Sequence, residues 1–185
     1  MDNIKSQYVS DERHSRELKA GLHPLRLQYK FAIWYTRRTP GVRNQTSYED
    51  IIKKIVEFST VEGFWACYCH LAPSSLLPSP ADLHFFKNGI RPLWEDGANC
   101  NGGKWIIRFS PKLYLLLLAL VGDQLDDADN TCGAVLSVRF SEDIISVWNR
   151  NASDHQLSHA YVMEYKPHDA SLRDNSSYRN TWLRG

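Results

Sequence analysis

The stretch GAVLSVRFSEDIISVWN, from Gly133 to Asn149, decides how the fold is interpreted. Residues 133–140 and 144–149 are two runs of branched and aromatic residues, partly alternating with small or polar ones, and the polar segment SED separates them. Two such runs joined by a short connection are typical of a β-hairpin. The sequence therefore predicts two neighbouring antiparallel strands here.

Further strands are predicted on the N-terminal and C-terminal sides of this hairpin, at residues 23–36, 51–58, 82–87, 104–109 and 160–166. Helices are predicted at Val61–Leu71, which Ser59 or Thr60 can cap, and at the leucine-rich run 113–122. Many strands with few intervening helices favour one curved antiparallel sheet with helices on one face, an α+β arrangement. The opposite face is then available for binding.

The length of 185 residues suits one domain. With 22 basic against 21 acidic residues the net charge is +1, so any contact with nucleic-acid phosphates should be local. Residues 1–21 lack both sustained apolar periodicity and the apolar segment of a secretory signal. We expect a flexible tail at 1–21 and a folded domain at 22–185, in a cytoplasmic protein for which a nuclear location stays open. The longest apolar run is too short to span a membrane.

Sequence motifs of common enzyme classes are absent: there is no G-x-S-x-G, P-loop, H-E-x-x-H or dinucleotide fingerprint. Cys67 and Cys69 form a C-x-C pair without a second pair, and the histidines show no metal spacing. We expect each histidine at the surface or hydrogen-bonded, and we predict a binding protein without metal, cofactor or catalytic activity. Whether Cys100 and Cys132 form a disulfide is left open.

The segment RPLWEDGANCNGGKWI, residues 91–106, sets Trp94 beside Glu95 among turn-forming residues. A large aromatic in such a loop is either a plug over the core or a platform for stacking. Stacking of a positively charged ring on an aromatic face gains about 1–3 kcal/mol. A neighbouring carboxylate can accept the N–H donors on the edge of a guanine, and Arg139 can contact a phosphate.

A series of motifs runs in order over nearly the whole chain after residue 22: HPL, WYTRRTPG, TVEGFW, PLWED, NGGKW, CGAV, and VRF followed by IISVWN. In these motifs the chain resembles the eukaryotic translation initiation factor 4E family of messenger-RNA cap-binding proteins, and more narrowly its 4E-homologous, or novel cap-binding protein, branch. The resemblance implies a curved antiparallel sheet with helices on its convex face and a 7-methylguanosine pocket on its concave side. It also implies a role in translation initiation or its regulation.

The resemblance also implies which residues contact the methylated base. Trp94 would stack on one face of the base and Tyr48, in QTSYED, on the other. Glu95 would accept the guanine N1 and N2 hydrogens, and Trp148 would touch the N7-methyl group. From the residues alone two alternatives stay open, since Trp148 could be a core residue and Tyr48 a surface residue of a loop.

For the triphosphate, the resemblance implies contacts from Arg139 and, as a weaker candidate, from Lys104. The main branch of the family has a second phosphate-binding lysine where this chain has Ile144, so we expect a weaker phosphate clamp. Arg139 could instead pair only with Glu142 or Asp143 of the hairpin.

A second surface implied by the resemblance binds protein partners. Helical spacing alone would make Trp65 a core residue. The resemblance instead assigns it to an exposed dorsal surface with His23, Pro24, Leu25 and Val61. Partners bearing a Y-x-x-x-x-L-Φ helix, either factor 4G-like scaffolds or 4E-binding proteins, would dock there on a monomer. The alternative is a truncated interaction module that keeps this surface without binding caps.

Two segments are shorter than the resemblance implies. A helix of about five turns before the last strand is reduced to a short loop between Asp154 and Ala160, and residues 108–122 are several residues shorter than expected. Without that helix we expect apolar side chains to be exposed on the convex face. Each would forfeit about 1.5–3 kcal/mol of burial, so we expect a chain that is aggregation-prone or only partly folded.

Overall fold

The computed structural model describes residues 23–37, 48–107, 113–125, 127–140, 143–153 and 164–174. In these residues seven strands form one curved antiparallel sheet in the order β2-β1-β3-β5-β6-β4-β7. The strands are β1 (Arg26–Arg37), β2 (Ile52–Thr60), β3 (Ala81–Lys87), β4 (Gly103–Ile107), β5 (Thr131–Val138), β6 (Asp143–Asn149) and β7 (Glu164–Pro167). The helices are α1 (Tyr48–Ile51), α2 (Val61–Tyr68), α3 (Leu113–Val121) and α4 (His168–Asp174), with a 3-10 turn at Ser74–Leu76.

The structure confirms the hairpin, because β5 and β6 pair antiparallel with Leu136 opposite Ile145. It also confirms α2, although this helix ends at Tyr68 rather than at Leu71. Thr60 is its N-cap, and the Thr60 hydroxyl accepts a hydrogen bond from the backbone N–H of Gly63 at 3.0 Å. The expected tail at 1–21 and the short loop at 154–160 lie outside the described residues.

The main core lies between the convex face of the sheet and two helices. Alternate side chains of β1, β3, β5 and β6 point to this face, because successive residues of a strand face opposite sides. Phe64 of α2 and Leu117 and Leu120 of α3 pack against them. The strand residues in this core are Phe31, Ile33, Phe58, Leu83, Phe85, Ala134, Leu136, Val138 and Ile145. None of the helices in the described part of the chain is long and apolar enough to cross a membrane.

The expected exposure of apolar side chains on the convex face is wrong for the half of the sheet built by β4, β6 and β7. Trp105, Val147 and Tyr165 point to that face and are at most 7% exposed. They form a second cluster against which Leu116 of α3 and Leu125 pack. Aggregation of the chain, which we expected from the shortened segment, stays a prediction.

Not every helix lies on the convex face. The first residue of α4, His168, contacts Trp148, and their ring centroids are 4.2 Å apart. Trp148 is three residues from the core residue Ile145 on β6, so its side chain points to the opposite, concave face. The C-terminal helix therefore contributes to the concave side, which the sequence did not predict.

The packing of α3 predicts that truncation of two leucines of this helix lowers the free energy of unfolding by very different amounts. Leu117 is fully buried, whereas Leu115 is 43% exposed. We expect Leu117→Ala to lower the free energy of unfolding by about 2–5 kcal/mol and Leu115→Ala to change it by no more than about 0.5 kcal/mol. Urea unfolding followed by circular dichroism measures both values. Equal losses in the two variants would contradict the orientation of α3.

Candidate functional site

One row of directly paired residues crosses the concave face of the sheet. From β1 to β7 the row consists of Ala32, Phe86, Gly133, Trp148, Lys104 and Lys166. Side chains that are opposite one another on neighbouring strands are in contact distance. This central row therefore brings Trp148 and Lys104, two residues that the resemblance assigned to the pocket, next to each other, and adds Lys166.

Gly133 determines the packing at the centre of this row. A Cβ atom at Gly133 would lie 2.7 Å from Cγ of Phe86 and 2.4 Å from the carbonyl oxygen of Phe85. Its absence lets Phe86 lean across β5 and meet Trp148 edge to face, with ring centroids 5.4 Å apart. Gly103 has a similar role on β4, since a Cβ atom there would lie 2.2 Å from the hydroxyl of Tyr165.

Trp94 lies in the loop between β3 and β4, as its turn-forming neighbours predicted. Its side chain is half-buried and packs on the edge of the cluster formed by Phe86, Ile90, Cys132, Val135 and Trp148. One part of the indole thus closes the core and the remainder is open to the concave side. This packing agrees with a plug over the core, and the stacking platform stays a prediction.

Two polar side chains hold the Trp94 loop in shape. Asn99 is fully buried, and its amide nitrogen donates to the carbonyl oxygens of Arg91 at 2.8 Å and Leu93 at 2.7 Å. The Asp96 carboxylate accepts from the backbone N–H of Ala98 at 2.9 Å and of Arg91 at 3.2 Å. Sequence reasoning missed both roles. Asn and Asp between glycines indicate turns, but which carbonyls they reach depends on the folded loop.

Glu95 lies in the same loop, and Tyr48 lies outside it, in α1. The Glu95 side chain is exposed and makes no hydrogen bond or ion pair with any described residue. Tyr48 begins α1, and the next residue, Glu49, forms an ion pair with Arg91. That ion pair ties α1 to the loop that carries Trp94.

Arg139 is held by a residue that the sequence did not indicate. Its guanidinium donates to the Asp82 carboxylate at 2.7 Å and to the carbonyl oxygens of Ala81 and Val138 at 3.0 and 2.9 Å. Three bonds to β3 and β5 fix the planar guanidinium, with 23% of the Arg139 side chain exposed. Ile144 pairs with Ser137 on β5, which in turn pairs with Asp82 on β3. Ile144 is buried on the concave side.

Lys104 lies at the centre of the site and is only 6% exposed. Its ammonium is 5.8 Å from the ring centroid of Trp94, and it makes no hydrogen bond or ion pair within the described ranges. Burial, and then the positive charge of Lys166, lower the pKa of Lys104 to about 8, while Asp82 acts in the opposite direction. The residue treated as the weaker phosphate candidate is thus the most strongly perturbed lysine of the site.

His168 contradicts the prediction that each histidine is at the surface or hydrogen-bonded. It is fully buried against Trp148, and neither of its ring nitrogens has a hydrogen-bond partner in the structure. The indole nitrogen of Trp148 also lacks a partner. Burial, and then the charge of Lys104, lower the pKa of His168 to about 3, so its ring is neutral at pH 7.

The dorsal surface is on the other side of the sheet. Trp65 is 43% exposed and Leu25 is 65% exposed, so Trp65 is not the core residue that helical spacing alone indicates. The backbone N–H of Val61 donates to the carbonyl of Leu25 at 2.9 Å, and the N–H of Leu25 donates to Glu62 at 3.2 Å. These bonds tie the exposed segment His23, Pro24 and Leu25 to the first turn of α2.

The four cysteines are all free. Cys132 is buried, and burial raises its pKa to about 11, while Cys100 is exposed. The Cys132 thiol donates to the carbonyl of Ala98, a further contact between β5 and the Trp94 loop. Within the residues that the structure describes, no three His, Cys, Asp or Glu side chains converge to hold a metal ion.

Comparison with known sequences identifies one family. The family model of eukaryotic initiation factor 4E matches residues 26–182. The eukaryotic translation initiation factor NCBP of Arabidopsis thaliana is 78% identical over 208 residues, covering 100% of this chain and 93% of the relative. Eukaryotic translation initiation factor 4E-4 of Caenorhabditis elegans is 42% identical over 174 residues, covering 84% of this chain and 82% of the relative.

A solved structure with a similar fold belongs to the same family. A solved complex of C. elegans initiation factor 4E-3 with the 4E-binding protein Mextli and a cap analog matches with a TM-score of 0.72 and 32% identity, covering 82% of this chain and 96% of that chain. The alignment with the Arabidopsis relative spans 208 positions, more than the 185 residues of this chain, so the relative has internal segments that this chain lacks. From its motifs, its sheet and these relatives, the chain belongs to the eukaryotic initiation factor 4E family.

Proposed function

We propose that this protein binds the 7-methylguanosine cap of messenger RNA and acts in translation initiation or its regulation, without catalysing a reaction. The observation that carries the proposal is the grouping of Trp94, Trp148 and Lys104 on the concave face of a 4E-family sheet. A C. elegans family member whose fold matches this one has been solved with a cap analog. A cytoplasmic location, where capped messages are translated, is part of the proposal.

The base-binding half of the site uses charge as well as stacking. Methylation at N7 makes the guanine ring positive, and the open part of the Trp94 indole offers a face on which a cationic ring gains dispersion and cation–π energy. Tyr48, held near the loop by the Glu49–Arg91 ion pair, covers the other face of the base. Glu95 has an unpaired carboxylate that accepts the two N–H donors of the guanine edge, and Trp148 contacts the methyl group.

The phosphate-binding half relies on two differently held cations. Arg139 is oriented in advance by Asp82, so little side-chain freedom is lost when it binds a phosphate. Lys104 is buried, and a phosphate beside it gives its ammonium the anionic partner that it otherwise lacks.

Partner binding uses the dorsal surface made by His23, Pro24, Leu25, Val61 and Trp65. We propose that it takes the apolar side of a Y-x-x-x-x-L-Φ helix from a scaffold or a repressor. The exposed Trp65 ring is fixed edge-on by Phe64 and Tyr68, at 5.2 and 5.8 Å between centroids, so it is a rigid anchor. Because this surface and the Trp94 site are on opposite faces of the sheet, both can be occupied at once.

The second candidate function is an interaction module that uses only the dorsal surface. Retention on immobilised 7-methylguanosine, with release by 7-methyl-GTP but not by GTP, distinguishes the two candidates. Retention and methyl-dependent release support the cap-binding proposal. A folded chain that passes through the resin while still binding a Y-x-x-x-x-L-Φ peptide would favour the module.

The base site is tested by removing one stacking face or one acceptor. We expect Trp94→Ala and Glu95→Ala each to weaken binding of 7-methyl-GTP by at least about 1–3 kcal/mol, through lost stacking and lost charge-assisted hydrogen bonds. Quenching of tryptophan fluorescence on titration measures the affinity. Trp65→Ala is the control, since it removes an exposed tryptophan from the opposite face. Unchanged affinity in both site variants would reject the assignment of the base site.

For a peptide that docks on the dorsal surface, we predict that binding depends on Trp65 and not on Trp94. We expect Trp65→Ala to abolish binding of a Y-x-x-x-x-L-Φ peptide while the melting temperature changes little, because the ring is 43% exposed. Trp94→Ala should leave peptide binding unchanged. Isothermal calorimetry beside a melting curve decides the question, and a loss of stability of about 3–5 kcal/mol in Trp65→Ala would show that the ring belongs to the core.

The low pKa of Lys104 predicts a pH-dependent difference between the wild type and one variant. Lys104 loses its proton near pH 8 in the free protein, which removes a charge that faces the phosphates, so affinity falls as the pH rises through that value. Arginine stays charged, so the affinity of Lys104→Arg divided by that of the wild type should rise between pH 7 and 9. Ionisation of the ligand cancels in this ratio. Lys53→Arg, on the exposed side of β2, is the control, and a flat ratio for Lys104→Arg contradicts the prediction.

A further inference from the structure

An open cavity of about 280 Å³ lies at the edge of the sheet where β3 and β6 end and β5 begins. Arg139 lies at the other end of the same strands, where it donates to the carbonyl of Ala81. The cavity is therefore distinct from the phosphate contacts proposed for the Trp94 site. Three of the charged residues that line it are basic and one is acidic: Lys30, Lys87, Arg150 and Asp129.

Lys87 is a buried cation of this cavity that forms no ion pair within the described residues. Its ammonium lies 3.4 Å from the ring centroid of Tyr29 and donates to the carbonyl oxygen of Ala128 at 2.5 Å. Since an ammonium has three donor hydrogens, one is left after these two contacts. Burial lowers the pKa of Lys87, and the charge of Arg150 acts in the same direction while Asp129 opposes it. An anion in the cavity would give this buried charge the partner that it lacks.

Arg150 is the second cation of the cavity that has no carboxylate partner. Its side chain is exposed and makes no hydrogen bond or ion pair with any residue that the structure describes. Its backbone, in contrast, is fixed, because its N–H donates to the carbonyl oxygen of Asn130 at 2.8 Å. The guanidinium is therefore attached to an ordered backbone and is available to a ligand.

The other charged side chains of the lining already have partners. Lys30 forms an ion pair with Glu57 on β2. The Asp129 carboxylate accepts a hydrogen bond from the hydroxyl of Tyr29. Two cations of the lining, one buried and one exposed, are thus left for a ligand.

The chemistry of these two cations indicates which anion fits. The guanidinium of Arg150 can bind two oxygens side by side, and the ammonium of Lys87 can bind a third. A phosphate monoester has three terminal oxygens and about 1.5–2 negative charges at pH 7. A carboxylate has only two oxygens and one charge. The two cations together match the phosphate better than the carboxylate.

We propose that this cavity binds a phosphate monoester, and that Arg150 and Lys87 contact the phosphate oxygens. A small molecule and the phosphorylated side chain of a partner protein both carry this group. Lys87 is two residues from the core residue Phe85 on β3, so it is on the convex face, opposite to the face of Trp148. The site is thus separate from the Trp94 site, and the inference does not depend on cap binding.

The test follows the titration of the nitrogen-15-labelled chain with inorganic phosphate by NMR, at constant ionic strength. We expect the backbone amides of Asn88 and Arg150, which line the cavity, to shift. Arg150→Gln and Lys87→Met should each weaken this binding about 10-fold or more, because charge-assisted hydrogen bonds are lost. Arg26→Gln, at an exposed arginine that begins β1, is the matched control and should bind as the wild type does. Acetate should cause much smaller shifts than phosphate.

Three results would overturn the proposal. One is a titration that shifts Lys104 and Trp148 while Asn88 stays unchanged, because the phosphate then occupies only the Trp94 site. Another is equal affinity of Arg150→Gln and the wild type for phosphate. The third is equal shifts from acetate and phosphate, which would show that the cavity does not select the phosphate group.

The design allows for a variant that does not fold and for the two sources of the phosphate group. If Lys87→Met does not fold, Arg150→Gln decides the question alone, since its side chain holds no described residue in place. A short peptide with one phosphoserine is titrated beside inorganic phosphate. Tighter binding of the peptide supports a phosphorylated partner, and tighter binding of inorganic phosphate supports a small molecule. Absence of binding by both probes overturns the proposal.

Discussion

The packing of the concave face depends on Gly133, because glycine has no Cβ atom. A methyl group there would meet the backbone of β3 and the ring of Phe86, so the contact between Phe86 and Trp148 exists only because β5 carries no side chain at that point. Trp148 then has one side against Phe86 and another against His168, and Trp94 packs on the edge of the same cluster. The Trp94 loop and α4 thus pack against one shared group of aromatic side chains.

Two buried positive charges lie close together beside these aromatic residues, which is electrostatically unfavourable. Lys104 and Lys166 are opposite one another and nearly inaccessible to solvent, and burial, followed by the charge of Lys166, lowers the pKa of Lys104. Charged groups that are unfavourable in a folded protein persist where a ligand compensates for them, and such perturbed groups concentrate at functional sites. The apolar clusters of the convex face, including Trp105, Val147 and Tyr165, supply the stability that this arrangement reduces.

The sequence predicted most of the strands, the hairpin and the capped helix α2, because alternation, turn residues and a capping threonine are local signals. It predicted Trp94 in a loop for the same reason. It did not predict that Asn99 and Asp96 shape that loop, that Asp82 holds Arg139, or that His168 stacks on Trp148, since each of these contacts joins distant residues whose register appears only in the folded sheet. The burial of the convex face beside the shortened segment was also missed, because packing of Leu116 and Leu125 cannot be inferred from a deletion.

The central claim is that one site on the concave face binds the base and the phosphates of the cap together. The measurement that tests it most directly is a crystal structure of this chain with 7-methyl-GTP. The account predicts the methylated base stacked on Trp94 with its edge on Glu95, the N7-methyl group against Trp148, and the phosphates within hydrogen-bond distance of Lys104 and Arg139. A nucleotide bound elsewhere, or a base on Trp94 whose phosphates point away from Lys104 and Arg139, would contradict it.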